Sequence, residues 1–269
     1  MDLTISLWER KVLTNKVLWW LVPIVCFLTL VIFDFYCPGR ISNNAVLYKP
    51  DHPQIKCELS GEEVRSLNRA WIGVRRLPVS VPSTPPEYIL YDRDHKILLW
   101  RSTRMACNEE DVVFNLDGDS CRVLDQVIIR LETAVADRFG VIMPWEEVKS
   151  YFAMYCRAEI IDFETGKSFM VQRRGGRYHA DCQPLTRQDT AIMKEIFGRW
   201  SWERRAAIVV VGGRRIAASM SGMPHGAGLI KDNDFDGHFC VHFWGSRVHT
   251  SGRVDPEHQR QVLKAAGKI

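Results

Sequence analysis

The sequence predicts an α+β protein in three parts: a single N-terminal transmembrane helix, a small α+β module and a mainly β domain. Three observations predict it. Residues 17–33 carry no charged side chain, helix-cap and hairpin patterns alternate in the middle of the chain, and apolar runs joined by glycine turns fill the last part. We expect a cytoplasmic N-terminus at 1–16, an anchor at 17–36, the module with its linker at 37–150 and the mainly β domain at 151–269.

The N-terminal apolar run has the length and the flanking charges of a membrane anchor. Residues 17–36 approach the roughly 20 residues that cross a bilayer as a helix. Arg10, Lys11 and Lys16 precede the run, and such residues favour the cytoplasmic side. A cleaved signal peptide is the alternative, but the run is long and no small-residue cleavage site follows it. We therefore expect a single-pass cell-membrane protein whose C-terminal domain is extracytoplasmic.

Composition indicates an ordinary globular chain. Among 269 residues, 46% are hydrophobic and 25% are charged, and the net charge is +4. Because both signs are mixed along the chain, the charge does not indicate a nucleic-acid partner. The eight cysteines include Cys107 and Cys121, which flank a short segment and are candidates for a disulfide, although the sequence does not fix any pairing.

The middle module has signals for two helices and a hairpin. Ser60 and Glu63 form a capping-box pattern before an apolar face at helical spacing. Two apolar runs surround residues 92–96, which is typical of a hairpin. A second amphipathic segment ends near Gly140, which we take as a helix stop. These features predict a spacer or interaction module.

The last domain has signals for a strand-rich fold with at least two helices. Residues 158–174 read as strand, turn and strand, and a Gly-Gly dipeptide at 212–213 joins two further strands. Thr186 and Asp189 form a second capping-box pattern. Asp255, followed by proline, begins a final helix that ends near Gly267.

Chemistry concentrates in this last domain, in the string GHFCVHF at residues 237–243. On a strand, alternate residues share one face, so His238, Cys240 and His242 would lie together. Six of the eight histidines belong to the same domain: His179, His225, His238, His242, His249 and His258. Such clustering with a cysteine indicates a functional site.

A cysteine nucleophile requires a base and a site for the developing negative charge. His225 precedes Cys240 by 15 positions, so a loop can bring the two side chains together. Gly226 and Gly237 permit close backbone approach at the two ends of that loop. The residues therefore predict His225 as the base and Cys240 as the nucleophile.

This stretch resembles the catalytic motif of the L,D-transpeptidases (YkuD-type), which carry His-Gly, a loop of similar length, and then Ser/Thr-His-Gly-Cys-Val/Ile-Arg. The motif falls on His225-Gly226 and on residues 237–242 of this chain, and the similarity covers roughly residues 157–250. Three positions depart from it: Gly237 stands for the hydroxyl residue, Phe239 for the glycine and His242 for the arginine. The chain thus looks like a divergent relative.

The resemblance implies an L,D-transpeptidase-like fold for residues 151–269 and a membrane-anchored cell-wall enzyme. Its substrates would be peptidoglycan stem peptides, transferred through a Cys240 thioester to an amine or to water. His238 would assist Cys240 and His225 in catalysis. The expected substrate-binding residues are Gly226, Gly237, Phe239, His242, Arg247 and His249. Neither a metal nor another cofactor is expected.

Two alternatives stay open. A zinc hydrolase would use the clustered His and Asp residues, including His179 and Asp181. However, His238 and His242 would lie about 13 Å apart along a strand, at ~3.3 Å per residue, which is too far for one metal. The other alternative is an inactive cell-wall binding protein.

Overall fold

The computed structural model describes residues 40–72, 74–93 and 95–269, without the side chain of Arg75, and the backbone of the short strand Phe35–Tyr36. These residues divide into two compact units, the first ending at Glu132 and the second beginning at Thr133. In this part of the chain, no helix is long and apolar enough to cross a membrane. The expected anchor at 17–36 lies outside the described residues, except for the two strand residues at its end.

The first unit contains a six-stranded antiparallel sheet with the strand order β3-β2-β5-β6-β7-β8. A two-residue strand, β1, pairs separately with β4. The strands are β1 Phe35–Tyr36, β2 Val46–Lys49, β3 His52–Glu58, β4 Val74–Arg75, β5 Tyr88–Tyr91, β6 Lys96–Trp100, β7 Met105–Cys107 and β8 Val113–Asn115. The hairpin predicted around residues 92–96 is confirmed as β5–β6.

The first predicted helix is α1, Gly61–Ala70, and its capping box is confirmed. Ser60 Oγ accepts from the Glu63 N–H, while Glu63 Oε2 accepts from the Ser60 N–H at 2.8 Å. A long helix, α2 Gly118–Arg138, follows β8 and contains the division between the units. All six cysteines of the described residues are free thiols, so Cys107 and Cys121 do not pair.

The helix stop predicted near Gly140 is confirmed, since α2 ends at Arg138, but Gly140 does not act as a left-handed cap. Gly140 is not among the residues with positive φ, and its N–H donates to the Ala265 carbonyl at 3.0 Å. A Cβ at this position would lie 2.4 Å from the backbone nitrogen of Ala217. Glycine is therefore required here because another backbone passes close to it.

In the second unit, six antiparallel strands close into a barrel with the order β10-β11-β14-β13-β12-β9. The strands are β9 Arg157–Asp162, β10 Ser168–Gly175, β11 Ala180–Pro184, β12 Arg204–Val211, β13 Arg214–Ser221 and β14 Phe239–His242. The helices are α3 Trp145–Tyr151, α4 Arg187–Phe197 and α5 Pro256–Ala265. The last strand fills the gap between β11 and β13 and so completes the wall.

The predicted fold class is wrong. The described chain has a mixed α/β architecture, with one six-stranded sheet and one six-stranded barrel. The expected mainly β domain with an L,D-transpeptidase-like fold is replaced by this barrel. Hairpin signals predict neighbouring strands, but closure depends on the long-range pairs β9–β12 and β11–β14, which carry no local signal.

The local signals of this unit are confirmed. Gly212 and Gly213 have φ values of 56° and 73° and join β12 to β13 in the two-residue turn that their sequence predicts. The capping box of Thr186 and Asp189 opens α4, and Asp255 caps α5. These short-range patterns fix where elements begin and end.

The two faces of strand β14 carry different kinds of side chain. Phe239 and Val241 belong to the large apolar core, and both have no exposed surface. Cys240 and His242 point to the opposite face, as alternation requires. Helix α5 packs against β12, β13 and β14. The face of β14 that carries Cys240 and His242 therefore contacts helix α5 and also lines a cavity.

Candidate active site

The thiol of Cys240 lies beside the imidazole of His225, and we call this pair the dyad. Cys240 Sγ is 3.4 Å from His225 Nε2. His225 Nδ1 is 2.9 Å from the Met223 carbonyl oxygen, so Nδ1 must carry the proton that it donates. In the neutral ring Nε2 is then an acceptor aimed at the thiol. This is the tautomer that a general base requires.

Two glycines hold the dyad in place. His225 and His238 form an isolated antiparallel bridge, with N–H to carbonyl distances of 3.0 and 2.8 Å. A Cβ on Gly237, whose φ is 110°, would lie 2.4 Å from the His225 carbonyl oxygen. A Cβ on Gly226, at φ 63°, would lie 2.5 Å from the His238 ring. Both positions thus require glycine for the loop to return to β14.

The dyad has the electrostatics of an activated thiol. Burial alone would raise the pKa of the Cys240 thiol, but the imidazoles of His179 and His225 outweigh it and lower the pKa. The contact with Cys240 raises the pKa of His225 against the effect of burial. Each group therefore favours the charged form of the other, as in a thiolate–imidazolium pair.

A second group of polar side chains surrounds Asp181, which is the cross-strand neighbour of Cys240. Asp181 Oδ1 lies 3.3 Å from His179 Nε2, 3.4 Å from His249 Nε2 and 3.9 Å from His238 Nε2. We call these four residues the Asp181 cluster. Burial disfavours charge on His179, yet Asp181 and Cys240 raise its pKa to about 10. His179 therefore connects the cluster electrostatically to the thiol.

Behind Cys240, two further imidazoles form a neutral stack. The rings of His242 and His258 are parallel within 4°, with centroids 3.7 Å apart, and His258 Nδ1 is 2.8 Å from Ser219 Oγ. Burial lowers the pKa of His258 to about 3 and lowers the pKa of His242 still further. These rings pack the base of the site as uncharged groups.

The dyad opens into a cavity of about 260 Å³. Four of the residues expected in the site line it, namely Cys240, His225, His242 and His249. The other lining residues are His179, Trp202, Arg204, Ser221, Val248, Thr250 and His258. Five of the eleven lining residues are therefore histidines, and Trp202 adds a further aromatic ring.

The remaining expected site residues lie elsewhere. Phe239 is in the barrel core against Phe169 and Phe235, so its side chain supports the strand from the far side. His238 faces Asp181, and Arg247 contributes its carbonyl oxygen, 2.7 Å from His179 Nδ1, while its side chain is exposed. Gly226 and Gly237 act through the backbone.

Several cavity residues were not predicted from the sequence, among them Trp202 and Arg204. Trp202 lies over His225, with ring centroids 4.8 Å apart, and Arg204 Nη2 donates to Asp255 Oδ2 at 2.7 Å. His258, one of the six clustered histidines, was given no role in the predicted site, although its ring also lines the cavity. Trp202 and Arg204 have no motif around them, whereas the clustering of histidines was a usable signal for His258.

Comparisons with known proteins identify no relative. No family model matches the chain, and neither a curated protein nor a solved structure matches it. The function therefore has to be argued from the site.

Proposed function

We propose that the barrel unit is a cysteine-dependent acyltransferase or peptidase, with Cys240 as the nucleophile and His225 as its base. The observation that carries the proposal is the dyad geometry: Sγ lies 3.4 Å from Nε2, and the tautomer of His225 is fixed by the Met223 carbonyl. A buried structural cysteine does not require an oriented imidazole, whereas a nucleophile does.

The dyad is suited to two-step acyl transfer. His225 Nε2 takes the proton of Cys240, and the thiolate attacks the carbonyl carbon of an amide. The C–N bond breaks, the leaving amine receives the proton from His225, and a thioester remains on Cys240. Water or a second amine then attacks the thioester and gives its proton to His225. The C–S bond breaks, and the thiolate recovers that proton.

The cavity favours a short acyl segment. Its volume of about 260 Å³ lies just below the range of about 300–1,000 Å³ that is typical of small-molecule sites. Arg204, Thr250 and His249 offer donors to a carboxylate or a carbonyl oxygen around the thiol. One end of a small peptide fits this description better than an extended protein chain.

Peptidoglycan stem peptides are the substrate class that we propose to test first. This part of the proposal rests on the resemblance of residues 225–242 to the L,D-transpeptidase motif, not on the barrel. Stem peptides are short and end in a carboxylate, so they suit the cavity. Such a substrate would place the barrel unit outside the cell membrane.

The full-length protein, with its thiols reduced, should be incubated with p-nitrophenyl acetate as a general acyl donor, with a carbapenem, and with a stem tetrapeptide. We expect each donor to add one acyl group to the protein. The adduct is detected by mass spectrometry of the intact protein after the reaction has been stopped with acid. The wild type should form the adduct, and Cys240→Ala should not. Cys156→Ala is the matched control, because Cys156 is also a free thiol of the same unit.

The three donors separate the two parts of the proposal. Cys240-dependent acylation by p-nitrophenyl acetate, without reaction of the other two donors, would support the acyl enzyme and remove the cell-wall substrate. If the wild type and Cys240→Ala react equally with every donor, the dyad is not a catalytic nucleophile. The inactive binding protein would then be the better description.

A further inference from the structure

The Asp181 cluster presents three imidazole nitrogens to a single carboxylate oxygen. The Nε2 atoms of His179, His249 and His238 lie 3.3, 3.4 and 3.9 Å from Asp181 Oδ1. One carboxylate neutralises one imidazolium, so ion pairing accounts for only one of the three contacts. The arrangement therefore requires a further explanation.

Backbone carbonyls fix the tautomers of two of these rings. His179 Nδ1 is 2.7 Å from the Arg247 carbonyl oxygen, and His238 Nδ1 is 2.9 Å from the Ala227 carbonyl oxygen. Each Nδ1 must donate, so in the neutral ring each Nε2 carries a lone pair close to the carboxylate. Lone pairs facing a negative oxygen repel it, unless extra protons or a cation lie between them.

The buried member of the cluster has an unmatched nitrogen. His179 is 1% exposed, and its Nε2 makes no hydrogen bond to any of the described residues, although Asp181 is close. A buried polar atom without a hydrogen bond is costly in a folded protein. This atom lies 3.3 Å from Asp181 Oδ1 and is not exposed to solvent.

We propose that His179, Asp181 and His249 bind a divalent cation of the zinc class, with the fourth position open to water or another oxygen ligand. Bonds of 2.0–2.1 Å in a tetrahedral site place neighbouring ligand atoms about 3.3 Å apart. The separations of 3.3 and 3.4 Å between Asp181 Oδ1 and the Nε2 atoms of His179 and His249 match this value. Imidazole nitrogens with one carboxylate oxygen are donors that suit Zn²⁺.

The surroundings of the cluster fit a metal site. Ligating histidines usually donate their second ring nitrogen to a carbonyl or a carboxylate, and the Arg247 carbonyl takes this part for His179. His179 and His249 also line the cavity, so a cation held by them would be reachable by a small oxygen ligand. The site does not depend on the nucleophilic role of Cys240.

Ring geometry excludes a neighbouring alternative. His179, Cys240 and His242 also bring their ligand atoms within 4.8 Å of one another. However, the rings of His179 and His242 are stacked, with centroids 4.2 Å apart and an angle of 20°. Their lone pairs lie in the ring planes, run nearly parallel and do not converge on one ion. His179 and His249 are inclined by 63°, which allows convergence.

The test uses the full-length protein, stripped with EDTA and titrated with Zn²⁺ and Co²⁺. We expect one equivalent of metal per chain by elemental analysis, and a visible Co²⁺ spectrum of four-coordinate character. His249→Ala should weaken binding at least about tenfold. Its side chain is 48% exposed, so the fold should survive the substitution. Asp181→Asn should have a similar effect on binding, and His95→Ala, at an exposed histidine of the other unit, should have none.

Two outcomes overturn the proposal. One is the absence of stoichiometric binding by protein whose thermal unfolding shows that it is folded. The other is binding that survives His249→Ala and Asp181→Asn but disappears in Cys240→Ser, since this would place the ion on the thiolate. Binding that persists in Cys240→Ser supports the proposed site. The metal result is thereby independent of the acylation result for the dyad.

Discussion

At the scale of single residues, the reactivity of Cys240 is set by imidazoles that are distant in sequence. His225 lies 15 positions away and His179 lies 61 positions before Cys240, yet both imidazoles lower the pKa of the thiol. The strand alternation places Cys240 towards the cavity, and the Met223 carbonyl orients His225. Two separate contacts therefore convert a buried thiol into a candidate nucleophile.

We predict that His225→Gln raises the pKa of the Cys240 thiol and slows its alkylation at neutral pH. The imidazole is lost as a proton acceptor, so less thiolate is present, and each unit of pKa corresponds to about tenfold less thiolate. The measurement is the rate of iodoacetamide labelling of the Cys240 peptide against pH, followed by mass spectrometry in metal-free protein. His95→Gln serves as the control. An unchanged pH profile in His225→Gln would show that the dyad contact does not activate the thiol.

At the scale of elements, the site depends on how the loop after β13 returns to β14. The His225–His238 bridge closes that loop, and Gly226 and Gly237 let the two backbones approach. Helices elsewhere in the chain begin where short-range patterns predict, as the capping boxes of α1 and α4 show. The geometry of the dyad requires in addition that this loop closes onto β14.

We predict that Gly237→Ala destabilises the protein by more than about 2 kcal/mol, because it adds backbone strain and a clash with the His225 carbonyl. It should also slow labelling of Cys240. Gly245→Ala is the matched control: its φ is 73°, and an added Cβ meets no described atom within 4 Å. We expect the control to cost about 1 kcal/mol in urea unfolding. Equal losses in the two variants would contradict the structural role assigned to Gly237.

At the scale of the whole molecule, closure of the barrel buries two uncharged histidines under α5. His258 faces Ser219 and His242, and Asp255 and Arg204 also act on its charge. Burial keeps the pKa of His258 near 3, whereas an ordinary histidine titrates at about 6.5. Since the unfolded chain binds a proton that the folded chain excludes, the free energy of unfolding must depend on pH.

We predict that stability falls as the pH decreases from about 6.5 towards 3. In that window the unfolded state holds more protons, so the free energy of unfolding rises with pH, by up to about 1.4 kcal/mol per pH unit for each such histidine. Urea unfolding between pH 4 and pH 7 measures this slope. His258→Gln should reduce the slope and His95→Gln should leave it unchanged. The same slope in wild type and His258→Gln would show that His258 is not the group responsible.

Much of the local structure was predictable because its causes are local. The capping boxes at Ser60 and Thr186 and the Gly212-Gly213 turn involve residues close in sequence, whereas the pairing of His225 with Cys240 was suggested by the spacing of a motif. Phe239 shows the limit of this reasoning. Its place in the motif suggested a substrate contact, whereas strand alternation combined with barrel closure puts it in the core.

By itself, the sequence determined the strand around Cys240, the glycine positions of the loop and the candidate base His225. Only the tertiary structure decided that six strands close into a barrel and that Asp181 collects three imidazoles beside the thiol. The physical reason is the separation in sequence of the residues that interact. Caps, turns and alternation follow from neighbouring residues, whereas β9–β12 pairing and the contact of His179 with His249 depend on which distant surfaces can be buried together.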